Sequence, residues 1–585
     1  MYFSSIVSSK EKNLCFSVLG KFKKFKNILT VNYYKMNKRI NILFSVLLTG
    51  IIGSYETEAQ TDSSKPNVIL IMVDDMGYSD LGNYGSEIKT PNLDRLAKEG
   101  TRLREFYNNS ICAPTRASLL TGQYQHKAGV GYFDVNLGLP AYQGYLNKES
   151  LTLGEVFRSG GYSTLMSGKW HVGSEDQAQW PNQRGFDKFY GILKGAANYF
   201  DTKPLPFGKT AYPVKMIRNN EELHPKDDSY YFTDEIGNNA VTFLDEQNKE
   251  NKPFFLYLAF TAPHWPLQAK PVDIAKYRGK FDEGWDALRE KRIKKLRENG
   301  IILPNQTIAP RDPEVPEWDK LTYDEKQFWK AKMEVYAAMV DNMDQNVGKV
   351  LDKLKALKKD KNTLIIFIAD NGAQGGFNTY NPLKRGLVRN EGPIGTSGSF
   401  DYQEQNWAYL SNTPLQDYKN NMHEGGFSSP FIAWYPSKIK AGRIDKGTGH
   451  IIDLAPTFYD LAGIEYPKNL NGVNSNPLPG KSLLPVLFEN ASEVNRGAPL
   501  FWERAGNRAV REGKWKLVSI YPSYQWELYN LEADRGETTN VAAQNPGIVN
   551  DLSAKYFDWA DKTGVVEYSK FKQKNELIPG AAAKK

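Results

Sequence analysis

Three continuous runs of apolar residues, at 68–73, 254–260 and 364–369, dominate the hydrophobic pattern of the chain. Runs of this length without polar alternation are typical of strands that are buried on both faces of a parallel sheet. Amphipathic helices are predicted between them, one beginning at Pro91 and a longer one with apolar residues at helical spacing over 333–354. Because strands alternate with helices, the pattern predicts an α/β fold with a large, mainly parallel sheet sandwiched by helices.

The pattern changes towards the C-terminus. Short apolar stretches flank Glu512-Gly513, which indicates a β-hairpin, and a helix is predicted to begin at Pro546. We therefore expect two domains after a leader, a large one over 60–489 and a small C-terminal α+β subdomain with an antiparallel sheet over 490–585.

Residues 1–59 are predicted to be an N-terminal extension and signal peptide. A short positive segment at 36–39 precedes an apolar stretch at 40–53 that is too short to span a bilayer comfortably, and cleavage is predicted after Ala59. Met36 is therefore the predicted start, and we expect secretion across the inner membrane to the periplasm or the extracellular space. An uncleaved anchor is the alternative, but cleavage is favoured, so no stable membrane span is expected.

Charge and composition narrow the class of protein. The leader holds nine Lys and Arg residues and three Glu residues, so it accounts for most of the formal net charge of +8. The remaining chain is nearly neutral, and nucleic acid is therefore not an expected partner. A hydrophobic content of 40% is enough for a large core and excludes a disordered chain.

Oxygen-bearing side chains follow two of the predicted buried strands. Asp74 and Asp75 end the first strand, and Asp370 and Asn371 end the third. Because polar site residues of α/β folds collect beyond the carboxyl ends of the strands, we expect these four side chains to form a metal site. Oxygen ligands suit Ca²⁺ or Mg²⁺ rather than Zn²⁺. An acid that only caps the next turn is the alternative for any single one of them.

A set of cationic side chains suits a bound anion. Arginine offers a planar fork of donors, lysine a point charge and histidine a transferable proton. Each residue alone is a weak signal, because a lone histidine is more often structural. The candidates are Arg116, Lys169, His171, His264 and Lys419.

Cys112 is the candidate nucleophile. The other cysteine, Cys15, lies in the predicted leader, so an intramolecular disulfide and a zinc–thiolate site are both excluded for the mature chain. Pro114 fits the first turn of a helix, which places Cys112 at or just before a helix N-terminus. Backbone N–H groups stabilise negative charge there, so a thiol at this place would be acidified and reactive.

Several motifs resemble those of the type I, formylglycine-dependent sulfatases, arylsulfatase-like members of the alkaline phosphatase superfamily. The most specific is the Cys-x-Pro-x-Arg pattern from Cys112 to Arg116, followed by Leu-Leu-Thr-Gly up to Gly122. The resemblance covers most of residues 66–570 and is closest to bacterial arylsulfatases. Its other motifs are Gly168 to His171, Ala262 to Pro266, Asp370 to Gly372 and Glu424 to Gly426.

The resemblance implies an alkaline phosphatase-like fold and hydrolysis of sulfate monoesters to an alcohol and sulfate. A maturation enzyme would oxidise Cys112 to formylglycine, whose hydrate offers one hydroxyl to attack sulfur and a second to expel sulfate. One Ca²⁺ per chain would be bound by Asp74, Asp75, Asp370 and Asn371, joined by the formylglycine oxygen at position 112.

The resemblance also implies roles for the cationic residues. Arg116 would help to deprotonate the attacking hydroxyl, and His171 would take the second proton. Lys169, His264 and Lys419 would hold the sulfate oxygens, with His264 as proton donor to the leaving alcohol. The substrate is expected to be a sulfated small molecule or glycan, preferably a saccharide, with aryl sulfates as surrogates.

Three other functions are alternatives to this one. A phosphomonoester or phosphodiester hydrolase of the same superfamily usually resembles a two-zinc site with a Ser or Thr nucleophile, whereas Cys112 and Asp370-Asn371 stand here. The loop of thiol phosphatases spaces Cys and Arg further apart than Cys112 and Arg116. A non-catalytic sulfoglycan-binding protein would need neither Cys112 nor the acid pairs.

Overall fold

A ten-stranded mixed sheet is the main element of the part of the chain that the computed structural model describes, which is residues 65–206, 212–225, 229–375 and 389–571. Its strands are β1 (Asn67–Val73), β2 (Thr101–Tyr107), β3 (Ser163–Lys169), β4 (Lys188–Ile192), β5 (Met216–Arg218), β6 (Glu221–Glu222), β7 (Phe254–Ala259), β8 (Thr363–Ala369), β9 (Phe431–Trp434) and β10 (Arg443–His450). The strands lie in the order β10-β2-β9-β8-β1-β7-β3-β4-β5-β6.

The centre of the sheet is parallel, as the apolar runs predict. β1 pairs in parallel with β7 on one side and with β8 on the other, and β3 pairs in parallel with β7 and β4. The three predicted strands are therefore direct neighbours, and their carboxyl ends meet at one edge of the sheet. β9 is antiparallel to β2 and β8, and β5 and β6 form an antiparallel margin.

Helices cover both faces of this sheet. Alternate residues of β1 face opposite sides, so that Ile69 and Ile71 join one apolar cluster while Val68 and Leu70 join the other. The predicted α/β class is thus confirmed. The helices are α1 (Pro91–Glu99), α2 (Cys112–Thr121), α3 (Leu153–Ser159), α4 (Phe232–Asn248), α5 (Pro271–Ala275), α6 (Gly284–Glu298), α7 (Tyr323–Ala356), α8 (Glu404–Ser411), α9 (Glu424–Phe427), α10 (Leu454–Ala462) and α11 (Leu484–Glu489).

A separate four-stranded antiparallel sheet lies in the C-terminal part, which confirms the predicted subdomain type. It is covered by a helix that begins at Pro546 and buries Leu552, Tyr556 and Trp559. The boundary between 489 and 490 stays a prediction. The elements are a short ribbon of β11 (Asn469–Leu470) and β12 (Val473–Asn474), the sheet strands β13 (Leu500–Arg504), β14 (Asn507–Glu512), β15 (Trp515–Ser519) and β16 (Trp526–Asn530), and α12 (Pro546–Thr563).

Buried charges connect the antiparallel sheet to the rest of the molecule. Lys516 of β15 lies 3.0 Å from Glu424 of α9 and 2.8 Å from Glu537, and all three side chains are buried. Arg511 of β14 donates a hydrogen bond to Glu105 of β2 at 2.5 Å. Buried charges are tolerated only when they are matched, so these pairs hold the two parts in one arrangement.

The predicted leader at 1–59 and the predicted start at Met36 lie outside the described residues. Among the residues that are described, no helix has both the length and the apolar character that crossing a lipid bilayer requires.

Candidate active site

The four oxygen-bearing residues meet where β1 and β8 end. The backbone N–H of Asp75 donates to Oδ1 of Asp370 at 3.3 Å, and Nδ2 of Asn371 donates to Oδ1 of Asp75 at 2.7 Å. Asp74 and the other three are all buried. Their proximity follows directly from the parallel pairing of β1 with β8, because this pairing brings the carboxyl ends of the two strands side by side.

Cys112 is the first residue of α2. Ile111 is the N-cap residue, and every residue of the helix is buried, with Cys112 itself 1% exposed. Asn109 supports this helix start, because its Nδ2 donates to the Ser118 hydroxyl at 2.7 Å and its backbone N–H donates to the Thr115 hydroxyl at 3.0 Å. The side chain at position 112 is thus held at the positive end of a helix in a water-poor environment.

Arg116 lies one helical turn after Cys112 and bridges the two strand ends. Its Nη2 is 2.8 Å from Oδ2 of Asp370 and 3.3 Å from Oδ2 of Asp74. Its Nη1 donates to the Lys169 carbonyl at 3.1 Å and to the Tyr257 hydroxyl at 3.3 Å. The planar guanidinium therefore ties α2 to β1, β3, β7 and β8 at once.

Two buried lysines each pair with one of the adjacent aspartates. Nζ of Lys169 lies 2.5 Å from Oδ2 of Asp74, and Nζ of Lys419 lies 2.5 Å from Oδ1 of Asp75. Gly168 has φ of +123°, and a Cβ there would lie 1.8 Å from the Ala259 carbonyl oxygen. Only glycine fits this position, which explains the Gly-Lys order at the end of β3.

The two candidate histidines lie beside different aspartates. Nε2 of His264 lies 3.6 Å from Oδ2 of Asp75, and its Nδ1 contacts the Trp265 carbonyl at 2.7 Å. His171 has its nearest acidic neighbour in Asp134, with 3.6 Å between Nε2 and Oδ2. Asp75 and His171 have φ of +61° and +60°, a left-handed backbone that non-glycine residues adopt rarely and that clusters at functional sites.

The electrostatics of the site follow from three carboxylates that face three cations. Burial opposes ionisation of Asp74, but the charges of Lys169 and Arg116 outweigh it and lower the pKa of this carboxyl below its usual range. Burial and the neighbouring Asp74 raise the pKa of Asp370 well above its usual range, although Arg116 acts against this. A divalent cation between the two carboxyl groups would remove this conflict and make the site attractive to an anion.

Burial and neighbouring carboxylates also shift the pKa values of His264 and Lys419 from those of free side chains. Burial lowers the pKa of His264 to about 4, against the opposing effect of Asp75 and Asp74. Burial opposes the charge of Lys419, but Asp75 outweighs it and raises the pKa of Lys419 above its usual range. In the protein alone near neutral pH, His264 is therefore an uncharged imidazole beside a charged lysine.

Three buried oxygens of the site have no hydrogen-bond partner among the described residues: Oδ1 of Asp74, Oδ2 of Asp75 and Oδ1 of Asn371. Unpaired buried acceptors are costly, and their presence together at one point fits a bound cation. Ligand atoms of Asp74, Asp75 and His264 also lie within 4.8 Å of one another. A set rich in carboxylate and amide oxygens fits Ca²⁺ or Mg²⁺ better than a nitrogen- or sulfur-preferring metal.

Known proteins are similar to this chain in sequence and in fold. A family model described as "Sulfatase" matches residues 66–464, and one described as "N-sulphoglucosamine sulphohydrolase, C-terminal" matches 417–556. The chain belongs to the sulfatase family. As a member of this family it is a sulfuric ester hydrolase, and the resemblance to type I sulfatases in the sequence is confirmed.

Individual sulfatases match over most of their length. An uncharacterized sulfatase of Schizosaccharomyces pombe is 36% identical, over 87% of this chain and 95% of the relative. An arylsulfatase of Klebsiella aerogenes is 35% identical, over 77% of this chain and 97% of the relative. The crystal structure of Ps i-CgsB in complex with k-i-k-neocarrahexaose has 28% identity and a TM-score of 0.65, over 88% of this chain and 98% of that one.

The sulfatase fold brings eight of the predicted residues into one connected set of contacts, and Cys112 is near enough to Arg116, Asp370 and Lys419 to interact with them electrostatically. His171 lies beside Asp134. Two contact residues were not singled out from the sequence. Tyr257, which accepts from Arg116, is a hydroxyl-bearing residue inside an otherwise apolar strand, and this was the available signal. Asp134 lies in a segment without periodicity, so no pattern marked it. The connected residues are Asp74, Asp75, Arg116, Lys169, His264, Asp370, Asn371 and Lys419.

Proposed function

We propose that this sulfatase hydrolyses sulfate monoesters of saccharides, with a formylglycine that a maturation enzyme forms from Cys112 and one bound Ca²⁺. One observation supports this most strongly. Cys112 opens a buried helix, and Arg116, one turn later, bridges carboxylates at the ends of two strands. This arrangement sets the side chain at position 112 next to a polar site that fits a cation and an anion together.

The modified residue and the metal would supply the chemistry that the unmodified side chains lack. Formylglycine, as its hydrate, supplies one hydroxyl for attack on sulfur and a second whose deprotonation permits sulfate release, while Ca²⁺ screens the negative charge of the ester. Asp74, Asp75, Asp370 and Asn371 would hold the metal, together with an oxygen at position 112. Asp74 and Asp75 are themselves held by lysines, so their oxygens are fixed in advance.

The other residues bind the sulfate and handle protons. Lys169 and Lys419 each have N–H groups beyond the one used on an aspartate, and these would hold sulfate oxygens. The Trp265 carbonyl holds the proton of His264 on Nδ1, so that Nε2 is the nitrogen that faces the site. An anionic sulfate favours a proton on Nε2, which would pass to the leaving alcohol, and His171 would accept the proton in sulfate release.

A saccharide is the proposed substrate class. Ps i-CgsB, which is 28% identical and covers 88% of this chain, has been solved with a neocarrahexaose. The similarity extends over both parts of the fold, so a comparable ligand is a reasonable choice for this chain.

Hydrolysis of a panel of sulfate esters tests the proposed function. Protein from a maturation-competent host is expected to hydrolyse nitrophenyl sulfate and to release sulfate from one or more sulfated mono- or oligosaccharides, measured by ion chromatography. Nitrophenyl phosphate, which carries a second negative charge, is the matched control, and we expect its hydrolysis to be at least about 10²-fold slower. Preference for the phosphate would overturn the assignment, and activity on aryl sulfate without any saccharide would overturn the substrate class.

The role of His264 is tested in the same panel. His264→Ala is expected to lower kcat about 10²-fold or more on sulfated saccharides, because a sugar alkoxide is a poor leaving group that needs a proton. Nitrophenolate leaves without one, so its rate should fall much less. Equal losses on both substrates would remove His264 from the role of proton donor.

Calcium removal is expected to abolish activity and to lower the melting temperature. Without the metal, three buried oxygens of Asp74, Asp75 and Asn371 have no hydrogen-bond partner among the described residues. A ligand that is present at 100-fold its Kd raises the free energy of unfolding by about 2.7 kcal/mol, and removal of the metal would lose this contribution. Calorimetry of the chelated protein with and without added Ca²⁺ measures this, with Zn²⁺ as the control metal that should restore neither property. A melting temperature that ignores Ca²⁺ would contradict the site.

We also propose cleavage of the leader after Ala59, a catalytic domain over 60–489, a C-terminal subdomain over 490–585, and a periplasmic or extracellular location. The positive segment and short apolar stretch before Ala59 support the leader. N-terminal sequencing of the secreted protein decides the cleavage point, with Gln60 expected first.

A further inference from the structure

His171 is held in an unusual environment. It adopts the left-handed backbone, its ring packs edge-to-face on Phe133 with centroids 5.0 Å apart, and a Cβ at Gly195 would lie 2.7 Å from the ring. Packing on two sides leaves the imidazole little freedom to rotate. Both ring nitrogens are buried and lack a hydrogen-bond partner among the described residues. A buried base with a fixed ring and free nitrogens is poised to accept a proton.

Asp134 is the acidic group that faces this ring. Its Oδ2 lies 3.6 Å from Nε2 of His171, and its side chain is 12% exposed. This distance exceeds that of a hydrogen bond but is short enough for strong attraction to a protonated imidazole. Contacts of this kind in free enzymes are often long and shorten when the proton moves.

Burial and the neighbouring charged groups have opposing effects on the pKa values of His171 and Asp134. Burial lowers the pKa of His171, Lys169 and Arg116 add to this effect, and Asp134 acts against it. Burial opposes ionisation of Asp134, but His171, Lys194 and Lys169 outweigh it and lower the pKa of that carboxyl. Asp134 is therefore an acidic group whose charge favours a proton on His171.

The segment that carries Asp134 is fixed from the C-terminal part of the chain. The guanidinium of Arg504, at the end of β13, stacks on the Tyr132 ring at 4.1 Å from its centroid and donates to the Tyr132 carbonyl at 3.1 Å. The same guanidinium donates to Asn420, next to Lys419, at 3.3 Å. Arg504 thereby connects the segment of Asp134 with the segment of Lys419.

A small apolar cluster supports the same segment from below. Leu137, Ala141 and Tyr142 pack with Phe571 into a core that is separate from the two large ones. Tyr132 stacks on Tyr568 in this cluster. These contacts on the neighbouring residues restrict the position of Asp134, which lies 3.6 Å from His171.

We propose that Asp134 is a positioning residue for His171 during sulfate release, an inference that rests on the proposed role of His171 as the base of that step. In the proposed release step, the second hydroxyl at position 112 would give its proton to the imidazole of His171, its O–H electrons would form the C=O bond, and the C–O bond to sulfate would break. Sulfate leaves with that electron pair, so atoms and charge balance. Asp134 holds the ring in place and stabilises the imidazolium that forms, as carboxylates do for catalytic histidines elsewhere.

Asp134→Asn tests this by two readouts. The pKa of His171, measured by NMR of histidine-labelled protein with Cys112 unmodified, is expected to fall by about one unit, because the opposite charge is lost. The chain has only six histidines, so His171→Gln assigns the signal. In matured enzyme, kcat on nitrophenyl sulfate should fall roughly 10- to 100-fold. KM should fall with it, so that kcat/KM changes little, because only the step after nitrophenol release is slowed. The acid limb of the kcat–pH profile should move to lower pH.

Pre-steady-state kinetics locate the affected step. If sulfate release is slowed, nitrophenol appears in a burst of one equivalent per site before a slow steady rate. Asp134→Asn and His171→Ala should both show the burst, and the double variant should be no slower than His171→Ala alone. Asp134→Glu should recover part of kcat, which a loss of folding could not explain.

Glu175→Gln is the matched control. Glu175 is an exposed carboxylate that pairs with Lys194 at 2.5 Å, in the same neighbourhood but without contact to His171. It should leave the pKa of His171 and the burst unchanged. An unmoved pKa and an unchanged kcat in Asp134→Asn overturn the inference about Asp134. A full rate without a burst in His171→Ala overturns instead the proposed role of His171.

Discussion

Replacement of Cys112 by alanine is expected to abolish sulfate ester hydrolysis, with a loss on the order of 10⁶-fold in kcat, as for deletion of a covalent nucleophile. Nothing else in the site offers a nucleophile at the start of α2, because Ile111 precedes it and Ala113 follows. The side chain is 1% exposed and small, so the variant should keep the fold. Stopped assays with nitrophenyl sulfate measure the loss, and calorimetry verifies the fold.

The matched control is the same chain made in a host without a maturation enzyme. It differs from active protein only at position 112, and it should be as stable and as inactive as Cys112→Ala. Mass spectrometry of the peptide that contains Cys112 should show an aldehyde in place of the thiol in active protein and an intact thiol in the control. Full activity with an intact thiol would refute formylglycine chemistry.

Replacement of Arg116 by methionine is expected to have the next largest effect, on both activity and stability. Arg116 is fully buried and lies 2.8 Å from Asp370 and 3.3 Å from Asp74. Its loss leaves two buried carboxylates without this partner, which costs about 3–5 kcal/mol of unfolding free energy. It also removes a fixed donor fork beside position 112, so kcat should fall at least about 10²- to 10³-fold. Denaturant titration and steady-state kinetics measure the two effects.

Arg292→Met separates these two effects. Arg292 is equally buried and pairs with Asp80 at 2.8 Å and Glu87 at 2.7 Å, and neither partner is one of the candidate-site residues. It should lose a similar amount of stability but keep kcat per folded molecule. If both variants lost kcat equally, the effect of Arg116 would be one of folding alone. Arg116→Lys should recover little activity, because a lysine cannot bridge two carboxylates with a planar fork.

The central strands were predictable because their signal is local. Each of β1, β7 and β8 is a run of apolar residues long enough for one strand, and the strand–helix alternation implies parallel pairing. The positions of Asp74 and Asp370 then follow from chain order alone, since parallel neighbours end at the same edge. Pro114 marked the helix start at Cys112 for a similar reason, because proline suits the first turn.

The rest of the architecture depends on contacts between distant residues. β9 lies antiparallel between β2 and β8, and no feature of its four residues specifies those neighbours. Lys419 reaches the site because its backbone N–H bonds to the Ala373 carbonyl at 3.1 Å, which aligns two loops. Asp134 meets His171 only through the fold of an irregular segment. Pairings of this kind depend on tertiary packing, so the hydrophobic periodicity of the sequence does not indicate them.

The buried pairs around Lys516 have a consequence for how the molecule can be divided. Glu424 follows Lys419 by five positions and depends on Lys516 of β15 for its neutralising partner. A truncation near residue 490 would remove Lys516 and Arg511 and leave Glu424 and Glu105 without these partners. The antiparallel sheet is therefore not an independent module. Shortening the polypeptide there would disorder the loop that carries Lys419 into the reaction centre.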